Sequence, residues 1–239
     1  WTSRGLGSFD ELLARSIEDP AWFWGEVVEF LGIPFTTPYE QVLDTSDGIP
    51  WARWFTGGRT NLATICLDRW VATSPDAEAV RWEGEDGEVR VFTYADLARH
   101  VDGVAAGLRA RGIGEGDAVG IFLPMLPETV VAALAVAKLG AIFLPIFSGY
   151  GAEAIAVRLE DAGARALLCA DGFYRRGGVV PMLATAAEAV EQVATVETVF
   201  VVPRVGAELA STDRAAFLPW PAPFAAGEEI YAQDEDADM

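Results

Sequence analysis

The stretch from Ile113 to Tyr150, IGEGDAVGIFLPMLPETVVAALAVAKLGAIFLPIFSGY, constrains the fold more than any other, because it reads as strand, helix and strand with few residues to spare. Asp117–Leu123 is a short apolar run behind a glycine-rich turn, the pattern of a strand buried on both faces. Pro124 ends it, Pro127 suits the first turn of a helix, Glu128 complements the helix dipole, and Gly140 stops the helix. Ala141–Ile146 is apolar again, and a parallel return across the helix buries all three pieces as one βαβ unit.

Downstream the alternation continues: GAEAIAVRLEDAGA reads as a helix, ALLCA as a buried strand, VVPMLATAAEAVEQV as a helix and TVFVV as a strand. Upstream, Thr93 can cap a helix whose Leu97, Val101, Val104, Ala105 and Leu108 form one stripe ending at Gly112. Before it, Ala79–Glu83 and Glu88–Phe92 flank GEDG, whose Asp86–Gly87 marks a β-hairpin. Leu62, Ile65, Cys66 and Arg69 follow the Gly57–Gly58 turn at helical spacing. The expected fold is α/β: a doubly wound, mostly parallel sheet flanked by helices, with an irregular N-terminal arm and a β-hairpin.

The arm itself opens with Ser8 and Glu11 at capping-box spacing, followed by Phe9, Leu12, Leu13 and Ile17 on one helix face, and a second helix through WFWGEVVEFL ends at Gly32. Trp22, Trp24, Trp51 and Trp54 crowd this segment and read as large apolar anchors that pin it down. The last thirteen residues, GEEIYAQDEDADM, hold six acids and read as a solvated end. Residues 1–60 are thus expected to form an arm packed on the core, 61–205 an α/β subdomain, and 206–239 an acidic, partly disordered linker.

Charge narrows the partners. With 17 basic and 36 acidic residues the net charge is −19, which argues against nucleic acid and anionic membranes. No uninterrupted run of about 18 apolar residues spans a membrane, since Lys138 breaks the longest candidate. The N-terminal residues offer no apolar export signal, so a cytoplasmic protein is expected. Cys66 and Cys169 lie in apolar contexts and read as buried, reduced thiols, and the single histidine, His100, reads as structural rather than as a metal ligand.

Among candidate sites, the glycine clusters at 5–7 and 112–116 lack the strand-to-helix context of a phosphate loop and read as turns. No GxxxxGK[ST] or GxSxG occurs. Asp171–Gly178, DGFYRRGG, is better placed: it follows the buried strand ALLCA, so Arg175 and Arg176 sit at the carboxyl end of a parallel strand, where open α/β sheets bind ligands. Two arginines followed by Gly177 and Gly178 can offer a phosphate guanidinium and backbone N–H together. Pairing of the same arginines with surface acids is the competing reading.

Several stretches together resemble the AMP-forming acyl-CoA synthetases of the adenylate-forming superfamily, most closely the acetyl-CoA synthetase group. WARWFTGGRTNLATICLDRW resembles that group's WF-x-GG-x-LN … NCLDRH motif, FTYADL at 92–97 the first core motif, and the block from Gly114 to Gly172 the part containing the second. The likeness runs in order from about residue 8 to about residue 205. It implies an enzyme that makes an acyl-adenylate from acid and ATP with Mg²⁺ and then an acyl-CoA thioester, releasing AMP and pyrophosphate. The family's Thr/Gly-rich phosphate loop, its later ATP, Mg²⁺ and hinge motifs and its C-terminal lid are not in this sequence, so only CoA contacts are implied here and no catalytic or metal residue. By resemblance, Arg175 contacts the CoA 3′-phosphate, with Arg176, Gly177 and Gly178 on the same loop, and a second family arginine falls at Gly178. Phe147, Ser148 and Gly149 match a CoA-facing turn, Ser148 standing where the family has glycine.

The implied function is the N-terminal fragment of such a ligase, inactive alone and completed by the remainder of the synthetase, encoded in the same gene or separately. A stand-alone CoA-binding module and a truncated product without function are the alternatives. The acyl substrate is not legible. Lys138 is the only lysine, a bias that suits a salt-loving source, although arginine-rich codon usage would also produce it. At 1 M salt the Debye length shrinks to about 3 Å and self-repulsion of so acidic a chain is screened. Circular dichroism across a potassium chloride series is therefore expected to show structure and melting temperature rising with salt; full stability in dilute buffer would count against the halophilic reading.

Overall fold

The computed structural model describes residues 4–224, 230, 232–233 and 235–236. They form two compact units, one of residues up to 61 joined by the strand at 235–236, the other of residues 62–233.

The first unit begins with α1 (Phe9–Glu18), where the Ser8 hydroxyl accepts from Glu11 N at 3.2 Å and the Glu11 carboxylate accepts from Gly7 N at 2.8 Å. In α2 (Pro20–Leu31), Asp19 caps Trp22 N, Pro20 occupies the first turn, and Gly32 closes the helix with φ +57°. β1 (Gln41–Asp44) pairs antiparallel with β2 (Arg53–Thr56), and β3 (Arg59–Thr60) pairs with a two-residue strand, Glu235–Asp236. Phe35, Tyr39 and Phe55 meet at 5.0–5.8 Å between ring centres, and Trp24 stands edge-on to Trp54 at 6.2 Å. Not every tryptophan anchors: Trp51 is 73% exposed.

In the second unit a π-helical turn, Thr64–Asp68, runs into α3 (Arg69–Thr73). The expected hairpin follows as β4 (Glu78–Glu83) and β5 (Val89–Thr93), with Gly87 at φ +79°. Thr93 and Asp96 form a reciprocal capping box on α4 (Tyr94–Arg109), and Leu97, Val101, Val104, Ala105 and Leu108 are all buried. The segments β6 (Ala118–Phe122), α5 (Pro127–Lys138) and β7 (Ile142–Pro145) complete the βαβ unit. Then come α6 (Ala152–Asp161), β8 (Ala166–Ala170), a hairpin of β9 (Gly172–Arg175) and β10 (Gly178–Pro181), α7 (Leu183–Val190), β11 (Thr198–Val202) and β12 (Ala216–Pro219).

Five strands form one parallel sheet in the order β12-β11-β8-β6-β7. In chain order this is 5-4-3-1-2, so the winding reverses between β6 and β8. With right-handed crossovers α5 falls on one face and α6 and α7 on the other; accordingly α4 packs with α5 and α6 with α7. Every residue of β6, β8 and β11 is buried, as strands covered on both faces require. Gly120 lets the α6 side come close: a Cβ there would lie 2.6 Å from Leu159 Cδ2 and 2.9 Å from Leu167 Cδ1.

Four sequence expectations are corrected. Among the described residues β7 is an edge strand with β6 as its one neighbour, which leaves Ile142 51% and Phe143 38% exposed rather than buried. Residues 178–181 are strand, not the start of a helix, because they fold back on β9. β12, unread in the sequence, is held to β11 by a parallel ladder from Thr198–Ala216 to Val201–Pro219. Cys169 is buried, and burial pushes its thiol pKa up, whereas Cys66 is exposed. Of the acidic end at 227–239, residues 227–229, 231, 234 and 237–239 lie outside the described residues.

His100 packs edge-on against Phe92 at 5.1 Å, and burial, with Arg90 and Arg99 nearby, holds its pKa below the ordinary imidazole value against the pull of Glu128 and Asp96. Among the described residues no helix is long and apolar enough to cross a membrane, and no cluster of His, Cys, Asp and Glu is placed to hold a metal ion.

The only lysine is buried. Lys138 Nζ lies 2.8 Å from Asp102 Oδ1 and 3.0 Å from Asp68 Oδ1, tying α5 to α4 and to the π-helical turn. Burial raises the Asp102 pKa against the lowering effect of Lys138. Lys138→Ala removes the partner of a buried carboxylate and is expected to cost about 3–5 kcal/mol of unfolding free energy in urea titration. The double variant Lys138→Met with Asp102→Leu is expected to recover most of it.

Candidate functional site

The carboxyl ends of all the inner strands open on one side of the sheet, and the loops after them enclose a cavity of about 320 Å³. Pro124, Met125 and Leu126 come from the loop after β6, Phe147 and Ser148 from the turn after β7, Phe173, Tyr174 and Arg175 from the hairpin after β8, and Arg204 from the segment after β11. Trp82, Glu83, Gly84 and Glu85 of the β4–β5 hairpin close the rim. The cavity lies across the reversal between β6 and β8, where neighbouring crossovers diverge to opposite faces and cannot fill the gap.

Asp171 fixes the base of this site. Its backbone N–H donates to Val202 O, and its carbonyl accepts from Met182 N and Leu183 N. Its carboxylate, in a residue only 2% exposed, accepts four backbone N–H groups: Arg204 N at 2.7 Å and Val205 N at 2.9 Å on Oδ1, Gly206 N at 2.8 Å and Ala207 N at 3.0 Å on Oδ2. A buried carboxylate so supplied needs no counter-ion. It ties the roots of the β9–β10 hairpin and the 204–207 segment together.

Arg204, its side chain 13% exposed, then joins the two hairpins. Nη2 donates to Asp86 Oδ2 at 2.6 Å and Nη1 to Glu88 Oε2 at 2.7 Å, while the guanidinium lies 5.1 Å from the Trp82 ring and 5.0 Å from the Tyr174 ring. Trp82 Nε1 donates to Met125 O at 2.7 Å, and Arg90 pairs with Glu128 at the start of α5, so the β4–β5 hairpin is attached to the sheet side as well.

Arg175 is different. It is exposed at the end of β9, faces the cavity, and among the described residues no carboxylate pairs with it or with the Arg176 side chain. The pairing of this arginine couple's side chains with surface acids, open on sequence grounds, is not seen among the described residues. Arg176 and Gly177 form the two-residue turn of the β9–β10 hairpin, with φ +52° and +74°. Arg176, Gly177 and Gly178 border the cavity without lining it, and so does Gly149, where a Cβ would stand 2.6 Å from the Phe147 ring. Phe147 is 63% exposed and packs edge-on to Tyr150 at 5.5 Å.

Trp82, Glu85 and Arg204 lie outside the stretch the sequence singles out, and Asp171 and Tyr174 lie within it without their roles being legible. Arg204 was within reach: it follows Pro203 after the buried run TVFVV, the same carboxyl-end position that singled out Arg175.

Fold and crevice together define a doubly wound α/β domain with a binding cleft at its switch point, cationic on one wall and aromatic on two. The family profile described as "Acetyl-coenzyme A synthetase N-terminus" matches residues 9–66, and the profile "AMP-binding enzyme" matches residues 67–235. The chain belongs to the AMP-binding enzyme family, within its adenylate-forming acyl-CoA synthetases. It is 43% identical over 204 residues to an acetyl-coenzyme A synthetase of Mycobacterium tuberculosis, a match covering 84% of this chain and 31% of that protein. With a 3-hydroxypropionyl-coenzyme A synthetase of Sulfurisphaera tokodaii it shares 38% identity over 224 residues, covering 92% of this chain and 32% of the relative. The solved structure of an acetoacetyl-CoA synthetase from Streptomyces lividans superposes with a TM-score of 0.86 at 32% identity, covering 97% of this chain and 35% of that one. The chain thus spans about a third of the length of the relatives it matches.

Loss of Arg204 is expected to loosen both hairpins while sparing the sheet. In Arg204→Ala, amide hydrogen exchange at residues 84–88 and 173–178 should rise by about an order of magnitude, the loss of charge-assisted bonds worth about 1.5–3 kcal/mol being partly offset by water. Exchange in β6, β8 and β11 should stay slow.

Proposed function

We propose that this chain is the coenzyme-facing N-terminal portion of an AMP-dependent acyl-CoA synthetase, which converts acid, ATP and CoA to acyl-CoA, AMP and pyrophosphate in the cytoplasm. In this reading residues 61–205 are the working subdomain, and the remainder of the synthetase supplies the ATP- and Mg²⁺-handling groups and the acyl pocket. The chain alone does not turn over. Names of the relatives above, each a CoA ligase, support the class of reaction but do not choose the acid.

The observation that carries the proposal is Arg175: a guanidinium without a carboxylate partner among the described residues, in a chain of net charge −19, on the wall of a switch-point cavity. Leaving a cation unpaired in so acidic a protein is most useful where an anion must bind. Its planar fork suits the 3′-phosphate of CoA. The exposed ring of Phe147 and the Ser148 hydroxyl stand across the cavity, where an adenine face and a polar edge would find partners. The Arg176–Gly177 turn carries backbone N–H groups beside the guanidinium that the hairpin ladder does not use.

Titration calorimetry with CoA, dephospho-CoA and 3′,5′-ADP tests this. CoA and 3′,5′-ADP are expected to bind more tightly than dephospho-CoA, and Arg175→Ala to weaken both by about tenfold or more, as loss of one charge-assisted contact requires. The chain alone should release no acid-dependent pyrophosphate. Equal affinity for CoA and dephospho-CoA, or indifference to Arg175→Ala, would overturn the assignment.

A further inference from the structure

The turn that brings Arg175 to the cavity already holds an anion. In a two-residue hairpin turn the ladder bonds use the flanking pair, here Arg175 and Gly178, and the first turn residue keeps an N–H that the hairpin itself does not use. That N–H belongs to Arg176, and it donates to Glu85 Oε2 at 2.6 Å. Glu85 reaches it from the tip of the β4–β5 hairpin, and it also lines the cavity that Arg175 faces.

Two further features make this contact more than a surface hydrogen bond. Arg176 adopts φ +52°, a conformation that costs an L-residue with a side chain roughly 1 kcal/mol or more and that Asn, Asp or Gly would take at less cost. The tip carrying Glu85 is also held rigidly, because Asp86 and Glu88 on either side of Gly87 are locked on Arg204. A carboxylate is therefore presented at a backbone donor beside the Arg175 guanidinium, which pairs with no carboxylate among the described residues; a phosphate oxygen would take the same position.

Resting on the reading of this crevice as a phosphate site, we propose that Glu85 is a built-in competitor for it: its carboxylate occupies the Arg176 N–H in the free protein and must swing out before a phosphomonoester can use that donor together with Arg175. Glu85 then sets how tightly the 3′-phosphate end is held, favouring release over retention. It does not affect ligands that lack that phosphate. Glu85 is exposed, so its replacement leaves the packing of both hairpins to Arg204, Trp82 and Tyr174.

Calorimetry on the 239-residue chain and its Glu85→Gln and Glu85→Ala variants, with 3′,5′-ADP, CoA and dephospho-CoA as probes, tests the proposal. Both variants are expected to bind 3′,5′-ADP and CoA about tenfold more tightly than the parent, the cost of breaking one charge-assisted bond, with dephospho-CoA unchanged. If Glu85 merely orders the turn, Glu85→Ala will weaken binding and Glu85→Gln will restore it, which overturns the competitor role. Unchanged affinity in both variants overturns it as well. Where the parent binds CoA and Arg175→Ala does not, such a result removes the competitor alone; where no chain binds CoA, the reading of the crevice fails and the competitor with it.

Discussion

Reversal of winding between β6 and β8 is the constraint from which the rest of the second unit follows. A parallel sheet needs crossovers, each crossover must lie on the face its handedness dictates, and a change of direction sends α5 and α6 to opposite faces. Between the carboxyl ends of β6 and β8 there is then no helix to close the gap. Only loops can line it, and they are the turns after β6, β7, β8 and β11. Gly120 keeps this arrangement tight at the centre, where any side chain would collide with Leu159 and Leu167. What binds in the gap is left to loop chemistry, which the sheet does not specify.

The loops are held by charge as well as by apolar packing of Leu126, Trp82 and Phe173 on the core. Asp171 gathers four backbone N–H groups, and Arg204 is shared by Asp86, Glu88 and two aromatic rings. In a protein with about two acids for every base, each arginine so used is withdrawn from the ligand. Arg204 lines the cavity but its hydrogen-bonding fork is already spent on the β4–β5 hairpin. Arg175 is then the cation left to face the opening. A crevice with one available guanidinium differs from a basic patch: any anion bound there would rest on that single group, while the field of the surrounding acids keeps nonspecific polyanions away.

Much of this architecture is written in local pattern. The βαβ unit from Ile113 to Tyr150 was legible because both strands are apolar runs bounded by Gly and Pro, and the helix begins on Pro127 and stops at Gly140. The α4 stripe and the Asp86–Gly87 hairpin were legible for the same reason. What escaped was set by partners distant in sequence. AFLP at 216–219 has no periodicity of its own and is a strand because β11 offers it an edge. Val179–Pro181 reads as a helix start because the four-residue strand Gly178–Pro181 is too short to show alternation. Asp171 carries no sequence sign that four amides converge on it, and Trp51 shows no sign that it, unlike Trp54, stays largely in solvent. Of the site, the carboxyl-end position of Arg175 was visible, but the roles of the opposing hairpin were not, since Trp82 and Glu85 lie some ninety residues earlier in the chain.

That opposing hairpin also bears on how such a crevice would work. Its attachment through Arg204, Trp82 Nε1 and the Arg90–Glu128 pair makes it part of the wall rather than a free flap. A wall so attached cannot close over a ligand, so an occupant held at Arg175 would exchange with solvent at the rate set by its own contacts. If the occupant is the coenzyme proposed above, arriving free and leaving as a thioester, a shallow single-arginine hold is better matched to turnover than a deep polybasic one, because binding shared equally by substrate and product slows release without speeding chemistry. Acidic residues at the rim push in the same direction. The acidic electrostatics of the chain and the geometry that keeps the cavity open therefore both favour brief occupancy over tight retention.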